Sequence, residues 1–164
     1  MARAAGPYAG TLKALLHQFK YRNRFALGRA LGELAFERAL RSGPLEGEAV
    51  VPVPLHFWRR RERGYNQAEL LSRTIAKRAG IPVRLALEKV KHRPPQAELG
   101  VLARRRNARG AYRARLPTWL VGRSVLLVDD VLTTGATADA CARALRRAGA
   151  SWVDVITVAR VDAR

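Results

Sequence analysis

Two adjacent carboxylates, Asp129 and Asp130, stand between an apolar run, Val125 to Val128, and a loop of small residues, Thr133-Thr134-Gly135-Ala136-Thr137. Each part of that stretch has its own chemistry. The loop offers threonine hydroxyls, and Gly135 lets the backbone approach a ligand closely or turn with positive φ. Successive backbone N–H groups in such a loop can form an anion-binding nest. A helix opening directly after it adds about half a positive charge at its N-terminus. Together these make a phosphate cradle. A carboxylate beside a phosphate would repel it unless it had a separate task. Accepting hydrogen bonds from vicinal hydroxyls is such a task, as acidic residues do for ribose. The stretch Asp129, Asp130, Val131, Leu132, Thr133, Thr134, Gly135, Ala136, Thr137 therefore reads as a seat for a ribose 5-phosphate, with the carboxylates on the diol and the loop on the phosphate. Asp also favours caps, but capping explains poorly two in a row between a buried strand and a Gly-Thr loop. The GxxxxGK[ST] loop and its lysine are absent.

Such a seat needs a strand to carry the carboxylates and a helix to receive the loop. Arg123 to Asp129 is the clearest strand in the chain, and Thr137 to Ala148 is a helix closed by Gly149. In open α/β sheets, ligands bind outside the carboxyl ends of the strands. Helical spacing of apolar residues recurs over Tyr8 to Tyr21 (Leu12, Leu15, Leu16, Phe19) and Phe25 to Leu40. Ala49 to Leu55 is a short buried strand that its prolines should end near Pro52 to Pro54. Asn66 to Ala79 is a helix with Gly80 as its C-terminal cap. Val83 to Val90, Ala111 to Leu116 and the β-branched run Ser151 to Val161 are further strands. Strands alternating with helices imply an α/β fold with a mostly parallel sheet flanked by helices. Continuous apolar runs fit strands buried on both faces. The expected organisation is one domain over 1–164, with a helical segment at 1–45 and an α/β core at 46–164. Within that core, 91–110 has no clear period and carries adjacent prolines and many arginines. Such irregular segments in compact domains are usually functional or disordered.

The chain has 164 residues, 48% of them hydrophobic and 27% charged, which is a globular composition. No apolar run reaches the roughly 20 residues of a membrane-spanning helix, so no membrane span is expected. The first residues, MARAAGPYAGTLKALLHQFKYRNRF, lack the apolar stretch of a secretory signal, and the expected location is the cytoplasm. The single cysteine, Cys141, excludes an internal disulfide and a Cys-rich zinc site. It reads as a small buried residue of a helix. Lys and Arg number 31 against 13 Asp and Glu, a formal net charge of +18. Such a field attracts polyanions. The predominance of Arg, with abundant Ala, Leu and Gly, equally suits a GC-rich coding genome.

VLLVDDVLTTGAT resembles the phosphoribosyl pyrophosphate (PRPP) signature of the type I phosphoribosyltransferases: an apolar strand, two acidic residues, then Thr-Thr-Gly-x-Thr. A second resemblance covers nearly the whole chain. VVPVPLHFWRRRERGYNQAELL, then RPPQAEL and RRRNARGAY, then the PRPP motif, in that order, are similar to the ComF family, amidophosphoribosyltransferase-like proteins linked to competence for DNA uptake. The stretch YAGTLKALLHQFKYRNR is similar to that family's N-terminal part. Members commonly carry a zinc ribbon with cysteine pairs before this point. The present sequence has no such cysteines, so nothing belonging to the ribbon is carried over.

The resemblance implies a type I phosphoribosyltransferase-like fold with a hood. It implies that Leu55 to Gln67 is the pyrophosphate loop, with His56, Arg63, Gly64, Asn66 and Gln67 as its candidates and Arg59, Arg60 and Arg61 adding positive charge. Asn66 reads either as a helix cap or as a ligand contact, and His56 as a structural histidine or as a group near the reaction. The hood would be Lys91 to Gly110, with Gln96, Arg104, Arg105 and Asn107 either on the ligand or on a solvated basic loop. Mg²⁺ would arrive with PRPP and keep several waters, so no dedicated protein metal site is expected. The implied reaction is attack at C1 of the ribose, with pyrophosphate leaving and Asp129 and Asp130 holding the hydroxyls. The acceptor is not written in the sequence. Two other readings stay open: a module that senses PRPP or a nucleotide without turnover, and a single-stranded nucleic-acid binder in which Phe57, Trp58 and Tyr65 stack bases or else simply pack. A homo-oligomer is compatible with all three.

Overall fold

The computed structural model describes residues 1–22, 24–55, 61, 64–90 and 110–161. Along them run β1 (Ala2–Pro7), α1 (Gly10–Tyr21), α2 (Leu27–Leu40), β2 (Ala49–Pro52), α3 (Gln67–Ala79), β3 (Leu87–Lys89), β4 (Tyr112–Ala114), a four-residue helix α4 (Pro117–Leu120), β5 (Ser124–Leu132), α5 (Ala136–Arg147) and β6 (Trp152–Arg160).

Four strands form a parallel sheet in the order β1-β6-β5-β2. A parallel bridge from Val50 to Val83 extends it by one position. β3 and β4 make a separate antiparallel pair. Side chains alternate across a strand, and here both faces are apolar. Val50, Leu126, Val128, Ile156 and Val158 pack with α1, α2 and α3. Val51, Val125, Leu127, Val153 and Val155 pack with α5 and β3. The sheet is thus covered by helices on both sides, as the uninterrupted apolar runs predict.

α2 and α3 approach closely because glycine lines the contact: a Cβ on Gly32 would lie 2.7 Å from Cβ of Thr74. β2 ends at Pro52, where its proline can still lie beside Val128 of β5. Among the described residues no helix is long and apolar enough to cross a membrane.

Three expectations need correction. The segment 1–45 is not wholly helical, since it begins with β1, the sheet's edge strand beside β6. ARAAGP is not a strand-like composition; it is held by pairing and by Arg3. The Arg3 guanidinium is buried, donates to the carbonyls of Ala39, Gly43 and Pro44, and lies 3.5 Å from Asp154 of β6. Second, β5 runs past Asp129 to Leu132, because β6 continues to pair with it as far as Arg160. Third, Val83 to Val90 contributes only the bridge and the short β3, and α5 opens one residue early, at Ala136.

Candidate functional site

Because β2, β5 and β6 are parallel, their C-terminal ends share one edge of the sheet. Asp129 and Asp130 lie at that edge, still within β5, with Asp129 in register with Thr157. The Asp130 N–H donates to Asp129 Oδ1 at 2.9 Å. Burial first, and the neighbouring Asp130 carboxylate second, push the Asp129 carboxyl up to about 7; the Asp130 N–H, Lys20 and Lys89 pull it back. The Asp130 carboxylate itself meets the Lys20 ammonium at 2.9 Å, with both side chains mostly buried.

Val131 and Leu132 follow in the strand, half-buried, one packed against each core. Thr133, Thr134 and Gly135 form the turn. Gly135 has φ 72° and ψ −4°, a left-handed conformation, and the position of a Cβ there is open space. It is the N-cap of α5, and no side chain caps that helix. Thr134 Oγ1 makes only a long contact, 3.4 Å, with the Ala136 N–H. Apart from that contact, no side chain among the described residues caps the start of α5, and an uncapped helix N-terminus is suited to an anion. Ala136 and Thr137 belong to its first turn.

Cys141 lies behind this edge on α5. Burial, and then the Asp129 carboxylate, push its thiol well up. It is an inert core residue, as its sequence context suggests.

At the neighbouring strand, Gly64 has φ 73° in open space and turns the chain toward α3. Asn66 caps that helix: its Oδ1 accepts from the Ala68 N–H at 3.0 Å, and its Nδ2 donates to the Val53 carbonyl at 3.1 Å. This side chain ties the end of β2 to the start of α3. Gln67 is buried at the first position of α3. Tyr65 is buried, edge-on to Phe25 at 4.5 Å, with its hydroxyl on the Phe19 carbonyl. It packs the core and does not offer a face for base stacking. Arg61 is exposed. His56, Phe57, Trp58, Arg59, Arg60 and Arg63 lie outside the described residues, as do Gln96, Arg104, Arg105 and Asn107 of the expected hood.

Sequence reasoning missed Lys20. A signal for it exists: Lys20 falls four residues after Leu16, whose side chain is fully buried, and so lies on the inward face of α1. A lysine on an apolar stripe is rare without a partner.

A parallel sheet covered on both faces, with an acidic pair and an uncapped helix N-terminus at its C-terminal edge, has the build of a phosphoribosyltransferase-type domain. A family model described as uracil phosphoribosyltransferase matches residues 23–164. Competence protein F of Haemophilus influenzae is 37% identical over 161 residues, covering 94% of this chain and 70% of that protein. The DNA utilization protein YhgH of Escherichia coli (strain K12) is 34% identical over 160 residues, covering 93% of this chain and 69% of that protein. Among solved structures, the glutamine PRPP amidotransferase from B. subtilis complexed with ADP and GMP aligns with a TM-score of 0.54 at 24% identity, over 80% of this chain and 26% of that one. That alignment speaks to the fold. The chain belongs to the ComF family of the type I phosphoribosyltransferase superfamily.

Proposed function

We propose that this domain binds PRPP as its Mg²⁺ complex and transfers the phosphoribosyl group to an acceptor. The observation that carries the reading is the combination at one sheet edge of two partly buried carboxylates with a left-handed Gly135 and the uncapped start of α5. Asp129 and Asp130 would accept from the ribose hydroxyls, and Thr133 to Thr137 would hold the 5-phosphate. In the reaction, the acceptor's lone pair forms the bond to C1 as the bond from C1 to the pyrophosphate oxygen breaks. Pyrophosphate leaves with Mg²⁺, and the acceptor gives up a proton to solvent. The protein's part is positioning and charge stabilisation.

The donor set suits a metal carried in by the substrate. One of the two carboxylates is already engaged by Lys20, while phosphate oxygens and water can complete an Mg²⁺ shell. Arginines of the 56–63 stretch and of the 91–109 stretch are the candidates for the pyrophosphate. PRPP is an intracellular metabolite, and the reading assigns the protein to the cytoplasm.

A competition titration tests this reading. Ribose 5-phosphate and PRPP should exclude one another from a single site, and PRPP binding should weaken when Mg²⁺ is chelated. Independent binding of the two ligands would count against it.

One observation favours a second reading, in which the protein handles single-stranded nucleic acid. A cavity of about 380 Å³ between α5 and the start of β4 is lined by Gly110, Tyr112, Ala140, Arg143, Ala144 and Arg147. Arginines gathered beside an aromatic ring at such a cavity suit a charged strand. Counterion release would make that binding fall steeply with salt, whereas PRPP binding should follow Mg²⁺ and the acidic pair.

A further inference from the structure

The ion pair between Lys20 and Asp130 joins two parts of the chain 110 residues apart at the candidate site. Its exposure is low on both sides, 18% for the lysine side chain and 14% for the aspartate. The lysine is held there by its helix. Leu16 and Phe19 of α1 are fully buried, and the Tyr65 hydroxyl is bonded to the Phe19 carbonyl. The chain just before α1 is pinned where the Tyr8 N–H donates to the Arg160 carbonyl at 2.7 Å, at the C-terminal end of β6. The helix therefore starts beside the end of β6 and finishes beside the end of β5. It forms part of the wall over the edge where the ligand would sit.

The hydrogen bonds at the acidic pair are also informative. Asp129 Oδ1 accepts the Asp130 N–H, and Asp130 Oδ2 takes the Lys20 ammonium. Within the described contacts, that leaves Asp129 Oδ2 and Asp130 Oδ1, one acceptor oxygen on each carboxylate. A vicinal diol offers two hydroxyl donors.

We propose that Lys20 is a positioning residue of the ribose-phosphate site: it fixes the Asp130 carboxylate so that its second oxygen faces a ligand hydroxyl, and its charge offsets the repulsion between the paired carboxylates. The proposal rests on the reading of Asp129 and Asp130 as the diol-binding pair. Among the described residues, Lys20 from α1, Lys89 from β3 and the Cys141 thiol from α5 face the pair, and Lys20 is the cation in direct contact with Asp130. Loss of Lys20 would leave Asp130 free to rotate. It would also remove a cation that holds the Asp129 carboxyl down, so that Asp129 keeps its proton to higher pH.

The test is calorimetric titration of Mg²⁺–PRPP, and separately of ribose 5-phosphate, into wild type, Lys20→Met and Lys20→Arg between pH 6 and pH 9, with melting temperatures recorded. Lys20→Met should weaken both ligands about tenfold at pH 7 and should recover most of that loss by pH 9. The pH midpoint of its affinity should rise by about one unit. Lys20→Arg should restore binding to within about threefold of wild type, since it keeps the charge though not the geometry of the ammonium. Three results would overturn the proposal: wild-type affinity in Lys20→Met at every pH; tighter binding, which would make the ammonium a competitor of the ligand; or a loss independent of pH that arginine does not repair. Should Lys20→Met fail to fold, the arginine variant still decides: a large affinity loss with an unchanged melting temperature and pH midpoint would refute a role carried by charge. Failure of wild type itself to bind either ligand would instead sink the ribose-phosphate reading.

Discussion

Residues 124–147 and residues 2–21 meet at one ion pair, Asp130 with Lys20, yet they reach it by different physics. The first segment, β5 with α5, follows local preference as far as Asp129, beyond which pairing with β6 carries the strand to Leu132. Its strand is apolar on both faces, its turn has glycine where the backbone is left-handed, and its helix begins immediately after. The second segment, β1 with α1, is built from distant partners. β1 is a strand because β6 lies beside it and because Arg3 finds carbonyls 36 to 41 residues away. The contrast teaches that a ligand seat can be written in one stretch of chain while the group that positions its carboxylate comes from another stretch with no motif of its own.

The largest effect should come from cutting the distant partners. Asp154→Ala would leave the buried Arg3 guanidinium with its carbonyls but without its carboxylate. Breaking a buried pair costs about 3–5 kcal/mol, and the surviving carbonyl bonds put this variant at the lower end. Denaturant melts should show that loss, and PRPP affinity should be nearly unchanged in whatever remains folded. An intact melt would mean that the Asp154 carboxylate, which also accepts from the Met1 ammonium and Trp152 Nε1, adds nothing to the hold on β1.

Next in size is Gly32→Ala, at the contact between α2 and α3. The added methyl would lie 2.7 Å from Thr74 Cβ, so the helices must shift. Overpacking of this kind costs about 1–3 kcal/mol, which urea unfolding would read. Gly135→Ala should cost less, about 1–2 kcal/mol, because only the left-handed backbone is strained and the space beside it is open. Its effect on PRPP should exceed its effect on stability, since the methyl stands at the phosphate cradle. A variant with full affinity would remove Gly135 from the site.

One effect has the opposite sign. Asp129 holds its proton up to about pH 7 in the folded chain, against an ordinary carboxyl value near 3.8. Between those pH values the folded state binds more protons than the unfolded state. Stability contributed by Asp129 is therefore present at low pH, declines as pH rises through that window, and stays reduced above it. Asp129→Asn removes the decline. Its melting temperature should exceed wild type at pH 8 and converge with it near pH 4, with a gain of about 2–4 °C for each kcal/mol relieved. A lower melting temperature at pH 8 would show that the carboxylate stabilises the ligand-free fold.

These variants also mark how far the sequence could be read. The α/β class, the parallel sheet and the order of strand, small-residue turn and helix between Val125 and Ala148 were legible because those signals agree with one another. Asn66 was legible as a cap because its place before an apolar-periodic helix is local information. β1 was not, since ARAAGP carries no strand propensity and its pairing partner lies some 150 residues further along the chain. The extension of β5 to Leu132 was missed for a related reason: VDDVL is polar at its middle and is held as strand by β6. Lys20 carries no motif of its own: the leucines set the apolar face of α1, and the charge on that face has meaning only beside Asp130, 110 residues away.

Calorimetric titration of Mg²⁺–PRPP into wild type and into the double variant Asp129→Asn, Asp130→Asn at moderate salt decides whether the acidic pair seats the ribose. Wild type should show saturable one-site binding that the double substitution abolishes. Binding that the substitution leaves unchanged, or no binding to wild type, would contradict that role.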